Sequence, residues 1–285
     1  MRILILGANG MLGHAIHRSL GAAGITAVGA VRRLDDLPVD RLEYRLVPDA
    51  ENMAQYERCF DDLRPNVVIN ALGIVKQSRR AENVASMFKI NALFPRWLQF
   101  MAQAKNFKLI HFSTDCVFSG RLGMYKEDDF PDPVDMYGLS KALGEVYGGN
   151  VLTFRTSIIG RGITPNDSLV DWFLGQHGSV KGFRRAIFSG VPVGAIGSML
   201  AEKLEEVILL SGIYNLAASP INKFELLHLV RDVFDARDID LVADDEFVID
   251  RSLDGTKFAR EVKFSFPSWP VLIRDCFEFY GSRHV

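Results

Sequence analysis

The stretch ILILGANGMLG, residues 3 to 13, runs four apolar residues into a turn holding Gly7, Gly10 and Gly13, and then into a helical pattern. A first glycine permits a tight turn after a strand, a second lets backbone amides approach a pyrophosphate, and a third lets helix and strand pack closely. The helix N-terminus adds unpaired N–H groups and the positive end of its dipole. Glycine-rich turns are common punctuation, so the reading depends on this one lying in the first strand–helix unit. There it predicts a dinucleotide site at Gly7, Asn9, Gly10, Met11, Leu12 and Gly13.

Outward from that unit, short apolar runs alternate with amphipathic stretches. Strands are predicted at 2–6, 26–31, 43–47, 66–70, 108–112 and 151–155, and helices at 11–23, 53–63, 81–103 and 136–147. Apolar strands alternating with helices predict an α/β fold, a Rossmann-like doubly wound parallel sheet covered on both faces. After about residue 157 the alternation decays. Gly and Pro gather at 160–162 and 189–192, and helical patterns return at 169–174, 198–210 and 223–233. The expected division is a dinucleotide-binding domain at 1–157, also taking in about 190–212, and a smaller, irregular, mainly substrate-binding portion at 158–285.

The second predicted strand runs into Arg32 and Arg33, where an acidic residue would suit an unmodified ribose. Two guanidinium groups suit a 2′-phosphate instead, so NADPH is the expected cofactor.

Composition narrows the function classes. The 285 residues are 48% hydrophobic and 24% charged, enough for a substantial core. A net charge of −2 gives no electrostatic reason to expect nucleic acid or an anionic membrane as partner. Cys59, Cys116 and Cys276 lie far apart, with no zinc-like spacing and no disulfide framework, so no metal is expected. Four apolar residues before Gly7 make no signal-peptide core, and no apolar run approaches the roughly 20 residues of a membrane span. A cytoplasmic protein acting on a small molecule is expected.

Two further motifs carry chemistry. STDCVF, residues 113–118, follows the fifth predicted strand and places Thr114 at its end, where a hydroxyl can bond a substrate carbonyl. YGLSK, residues 137–141, sets Tyr137 and Lys141 on one helical face. A nearby ammonium would lower a tyrosine pKa from about 10 and make it a usable acid. The spacing alone proves little, but Thr114, Tyr137 and Lys141 together make a proton-delivery set.

These motifs, with RTS at 155–157, resemble the extended short-chain dehydrogenase/reductase superfamily, and most nearly its dTDP-4-dehydrorhamnose reductase branch. The likeness continues in NLAASPINKFELL at 215–227 and DRSLDGTKF at 250–258. The resemblance implies an NADPH-dependent reductase of a nucleotide-linked 4-keto-6-deoxyhexose, serving surface-polysaccharide precursor synthesis. Its partner would be a nucleotide-diphosphate sugar, and a homodimer is the family's habit. Tyr137 looks like the acid that protonates the alkoxide, Lys141 like the holder of the nicotinamide ribose, and Thr114 like the group that orients the ketone. Ala71, Leu72 and Gly73 should lie against the cofactor. Asn91 matches the family's structural asparagine at the cofactor site, with a role inside the core equally open. Asp49 is expected at the adenine or in a turn. Lys76, Thr114, Asp115, Cys116, Ile158 and Arg251 are expected at the substrate.

Cys116 narrows the reaction. Nucleotide-sugar 4,6-dehydratases carry a second carboxylate there, so dehydration is not expected. Dual epimerase–reductases resembling GDP-fucose synthase use a cysteine at this place with a histidine partner, but the matching position is Leu169, and His177 lies two helical turns on. One cysteine cannot remove and return a proton on opposite faces of a carbon. Cys116 is therefore expected to line the pocket, with an epimerase or epimerase–reductase as the alternative. A non-catalytic NADP-binding regulatory subunit is a third reading, opposed by the intact Thr114, Tyr137 and Lys141. Arg161, Lys181, Arg184, Arg185 and Arg251 are candidates for a diphosphate, Arg251 first because DRSLD resembles the family's phosphate-contacting segment. Trp269 reads as core.

Overall fold

The computed structural model describes residues 1–33, 42–47, 51–76, 83–162 and 168–281. Six short runs, all but the third largely apolar, form strands β1 (Ile3–Leu6), β2 (Ala27–Val31), β3 (Glu43–Leu46), β4 (Val67–Asn70), β5 (Lys108–Phe112) and β6 (Val151–Arg155). The central ones, β1, β4 and β6, are buried throughout, as strands covered on both faces must be. At the edge, β3 reads EYRL and is largely exposed, a charged margin that discourages pairing with another chain.

The C-terminal part supplies β7 (Ile158–Ile159), β8 (Gly178–Phe183), β9 (Ala186–Phe188), β10 (Val191–Pro192), β11 (Gly212–Asn215), β12 (Ile221–Asn222), β13 (Ile239–Asp244) and β14 (Ile249–Asp250). The main sheet has seven parallel strands in the order β11-β6-β5-β4-β1-β2-β3. The expected α/β doubly wound sheet is thus the observed one, with β11 as an added strand beyond β6. The remaining strands pair as β10-β7, β12-β9-β14 and β13-β8.

The helices are α1 (Met11–Ala22), α2 (Met53–Leu63), α3 (Val84–Phe88), α4 (Phe94–Ala104), α5 (Met136–Leu143), α6 (Leu169–Leu174), α7 (Val193–Leu209), α8 (Lys223–Val233), α9 (Thr256–Val262) and α10 (Trp269–Tyr280). The sheet separates two cores. One face packs Leu4, Leu6 and Val68 on Phe60, Phe94 and Leu98 from α2 and α4. The other packs Ile3, Ile5 and Ile69 on Ile16 and Leu20 of α1 and Ile196 and Leu200 of α7. The second core continues into the C-terminal part through Phe188, Leu226 and Trp269. Trp269 is buried, as expected of core, and its indole N–H donates to Ser219 O at 2.7 Å. Among the described residues no helix is long and apolar enough to cross a membrane, and none of their His, Cys, Asp and Glu side chains gather into a metal-binding group.

Candidate active site

The glycine turn closes over backbone. Gly7 has φ +78°, a conformation that glycine takes without a steric penalty. Its N–H and that of Ala8 both donate to Ala30 O, at 3.2 and 3.3 Å, fixing the turn to the end of β2. A Cβ on Gly13 would lie 2.2 Å from Gly7 O, so α1 packs on the turn with no room for a side chain. Gly10 caps α1 without a side-chain hydrogen bond to the first amides. The loop after β4 lies alongside, since a Cβ on Gly7 would sit 3.1 Å from Leu72 N. Turn, helix N-terminus and the Ala71–Leu72–Gly73 loop therefore make a cradle of backbone donors that fits a dinucleotide pyrophosphate. Arg32 and Arg33 follow β2 directly, where the adenosine ribose of such a ligand ends. Asp49 lies outside the described residues.

The second half of the site forms where β5 ends. Thr114 caps a single turn of 3₁₀-helix at Asp115–Val117. Its hydroxyl accepts from Cys116 N at 3.2 Å and donates to Asp115 Oδ1 at 3.1 Å. Helix α5 begins at an Asp135 cap that accepts from Gly138 N at 2.8 Å. A Cβ on Gly138 would fall 2.2 Å from Cys116 O, so α5 sits directly on this turn and sets Tyr137 beside Thr114.

Burial raises the Tyr137 pKa, Cys116 acts in the same direction, and the Thr114 hydroxyl opposes them. The expected lowering by Lys141 is therefore not what this geometry produces. Lys141 is itself buried and donates to Phe112 O at 2.7 Å; burial brings it down to about 8, with Glu145 acting the other way. Tyr137 thus holds its proton firmly at neutral pH, which is the form an acid must start from.

The expected substrate residues divide. Asp115 is buried, which raises its pKa, while Lys223 and Arg251 pull it back. Arg251 donates from Nε to Phe118 O at 3.0 Å, and its Nη1 lies 3.4 Å from Cys116 Sγ. Burial and then Asp115 push the Cys116 thiol up to about 12, against Arg251. Cys116 is therefore held as a thiol beside Arg251. Ile158 is half-buried in β7, registered with Val191 and packed on the main core. Lys76 pairs with Asp135 at 2.9 Å, tying its loop to the start of α5.

Asn91 is fully buried and is bonded as a residue of the core, one of the two roles expected of it. Its amide accepts from Ile74 N at 2.8 Å and donates to Ile74 O at 2.9 Å and Ser140 Oγ at 3.1 Å, clamping the loop after β4 to α5. Three basic candidates for a diphosphate are bound elsewhere: Arg161 to Asp171 at 2.9 Å, Lys181 to Asp244 at 2.8 Å, and Arg184 to Asp245. His177 is 86% exposed and 3.5 Å from Asp238, so it offers Cys116 no partner acid.

Sequence reasoning missed three groups. Glu145 and Arg155 form a buried pair behind the site; Glu145 also accepts from Ser113 Oγ at 2.9 Å, and Arg155 packs over the Phe118 ring. Glu145 lies one helical turn past Lys141, a spacing that would have flagged it. His111 bonds Asn70 at 3.0 Å beneath the site, and burial followed by Lys141 lowers its pKa well below the usual range. Lys223 turns toward Asp115 from the start of α8, and no local pattern announces it.

A parallel sheet with a glycine turn after β1 and a Thr–Tyr–Lys set beyond β5 defines the extended short-chain dehydrogenase/reductase class. Within it, the chain belongs to the family described as the RmlD substrate binding domain, whose model matches residues 1–166. A dTDP-4-dehydrorhamnose reductase of Aggregatibacter actinomycetemcomitans is 34% identical over 148 residues, 50% of this chain and 45% of that protein. The chain spans about half the length of the curated relatives it matches. A solved structure described as a hypothetical dTDP-4-dehydrorhamnose reductase from Sulfolobus tokodaii is 27% identical, with TM-score 0.74, over 94% of this chain and 98% of its own. The dTDP-4-dehydrorhamnose reductase of Bacillus anthracis, solved with NADP, shares the fold at 21% identity and TM-score 0.77, over 97% of each chain.

Proposed function

We propose that this chain is an NADPH-dependent reductase of a nucleotide-linked 4-keto-6-deoxyhexose, of the dTDP-4-dehydrorhamnose reductase kind, acting in surface-polysaccharide precursor synthesis. The observation that carries the reading is the seating of α5 on the Thr114–Cys116 turn, which puts a protonated phenol beside a hydroxyl at the end of β5. The family membership and the reductases named above support it.

A reduced nicotinamide, when bound, supplies the hydride. Gly7, Asn9, Gly10, Met11, Leu12 and Gly13 would hold its pyrophosphate, Arg32 and Arg33 the 2′-phosphate, and Lys141 the nicotinamide ribose. Thr114 and Tyr137 orient the substrate carbonyl and stabilise the negative charge that grows on its oxygen. Tyr137 gives that oxygen its proton. Residues 1–157, with 190–212, serve the cofactor in this reading, and 158–285 mainly the sugar nucleotide.

The test is a reaction in deuterated water with NADPH and a panel of 4-keto-6-deoxy nucleotide sugars, read by mass spectrometry. A product reduced without carbon-bound solvent deuterium is expected, and Tyr137→Phe should lower turnover at least about a hundredfold while cofactor binding persists. Wild-type-like turnover in Tyr137→Phe would sink the mechanism. Ring-carbon deuterium that disappears in Cys116→Ser would replace it with an epimerase–reductase.

A further inference from the structure

Asn70 and His111 stand in register on the neighbouring strands β4 and β5, and both are fully buried. Their hydrogen bonds determine one another. Leu72 N donates to Asn70 Oδ1 at 3.2 Å, so the amide oxygen is turned to the loop after β4 and Nδ2 is left to face His111. That Nδ2 lies 3.0 Å from His111 Nδ1. An amide nitrogen only donates, so Nδ1 must be the acceptor and the imidazole hydrogen must sit on Nε2. Burial, with the Lys141 ammonium on α5 acting in the same direction, keeps a second proton off the ring. Glu145, one turn further along α5, is taken up by Arg155 and Ser113.

This tautomer leaves a donor stranded. His111 Nε2 is buried and has no hydrogen-bond partner among the described residues. A buried unpaired donor destabilises a fold, and an apolar side chain of similar shape would avoid it. What an apolar side chain could not do is accept from Asn70. Without that acceptor nothing stops the Asn70 amide from turning over, and Nδ2 would then meet the Leu72 N–H, donor against donor.

The loop at stake adjoins the glycine turn. Ala71 N donates to Leu6 O at 3.0 Å and Ile74 N to Asn91 Oδ1 at 2.8 Å, so each end is held by a bond of its own. The bond to Asn70 holds the middle. In a trans peptide the C=O lies opposite the N–H, so the same bond turns the Ala71 carbonyl away from Asn70. A Cβ on Gly7 would lie 3.1 Å from Leu72 N, so the placing of Leu72 sets how closely loop and turn approach.

We propose that His111 is a positioning residue for the dinucleotide: in its Nε2–H form it fixes the Asn70 amide, and through it the Leu72 peptide beside the pyrophosphate cradle. The inference rests on the reading of that cradle as a dinucleotide site and gives a role to a histidine that lies beneath it.

The test has two arms. In the first, isotope-labelled protein without cofactor is read by NMR at neutral pH. The expected signature is an Nε2–H imidazole whose bare Nδ1 shows a nitrogen–nitrogen coupling to Asn70 Nδ2 across the hydrogen bond. In the second, NADPH affinity is measured by fluorescence titration for wild type, His111→Phe and His111→Asn, with the melting transition of each reporting on the fold. Phenylalanine keeps a ring and removes the acceptor, whereas the asparagine oxygen takes roughly the place of Nδ1 and restores it. His111→Phe should bind NADPH about tenfold more weakly, and His111→Asn should recover most of that loss. An Nδ1–H or doubly protonated His111 in wild type overturns the relay, and so does wild-type affinity in a folded His111→Phe; either leaves the dinucleotide reading standing. Equal losses in the two variants also overturn it, because the volume of the ring and not its acceptor would then matter. Should His111→Phe not fold, Asn70→Asp decides: its carboxylate draws the hydrogen onto Nδ1, and an Nδ1 still bare in that variant overturns the relay. If wild type binds neither NADPH nor NADH, the dinucleotide reading fails and the role proposed for His111 falls with it.

Discussion

Replacing Glu145 with Gln should show how much the end of β5 depends on the buried pair behind it. Glu145 and Arg155 side chains are 5% and 2% exposed, and both carboxylate oxygens are engaged by Arg155, at 2.8 Å from Nε and from Nη2. Glutamine keeps the shape and can still offer one oxygen to Arg155 Nε and Ser113 Oγ. Its amide nitrogen must then face Arg155 Nη2, donor against donor. The guanidinium keeps its carbonyl acceptors, Glu127 O at 3.2 Å and Lys126 O at 3.4 Å, but no counter-charge. Breaking a buried pair by removing one charge costs about 3–5 kcal/mol. At roughly 2–4 °C per kcal/mol for domains of about this size, the melting temperature should fall by on the order of 10 °C. Glu145 also favours the charged form of Lys141, so the variant should bring Lys141 below its present value of about 8. Urea unfolding reads the first effect, and the pH dependence of NADPH binding reads the second. The double variant Glu145→Gln/Arg155→Met should recover part of the loss, because no unpaired charge stays buried. A single variant as stable as wild type would refute the reasoning.

Two further outcomes follow from the same geometry. Gly13→Ala would place a methyl 2.2 Å from Gly7 O, a backbone atom that cannot swing aside, so NADPH affinity should fall at least about tenfold by fluorescence titration; unchanged affinity would contradict the packing of α1 on the turn. Burial brings Lys223 down to about 8 from an ordinary 10.5, against the pull of Asp115 and Cys116, so between those values the unfolded chain binds more protons. The Lys223 contribution to stability must then rise with pH across that window. Unfolding free energy measured as wild type minus Lys223→Met should move in favour of wild type from pH 8 to 10.5, and a flat difference would show that the ammonium is not enclosed.

Strands were legible wherever burial on both faces forces an unbroken apolar run. The expected 108–112 and 151–155 coincide with β5 and β6, and β1 and β4 differ from expectation by one residue. The expected helix at 81–103 instead breaks into α3, a π-turn at Lys89–Leu93 and α4. Apolar periodicity does not report a change of hydrogen-bond register, nor that the turn carries Asn91 inward to Ile74. Helix α7 starts at Val193, five residues before the expected 198, and carries Gly194 and Gly197 in its first turns. Gly197 is there for packing: a Cβ on it would meet Ser19 Oγ at 2.4 Å and Ala15 O at 2.8 Å, where α7 crosses α1.

The same contrast divides the site. The cofactor cradle and the Thr114, Tyr137 and Lys141 set are local motifs, each a few residues at fixed spacing, because a turn or one helix face positions them. Phe188 of β9, Lys223 of α8 and Arg251 after β14 instead come together through strands as short as two residues whose pairings are long-range. No periodicity links those three positions, and Lys223 in NKFELL reads as an ordinary solvated helix start. The motif half is therefore encoded by neighbours in sequence, and this cluster by neighbours in space.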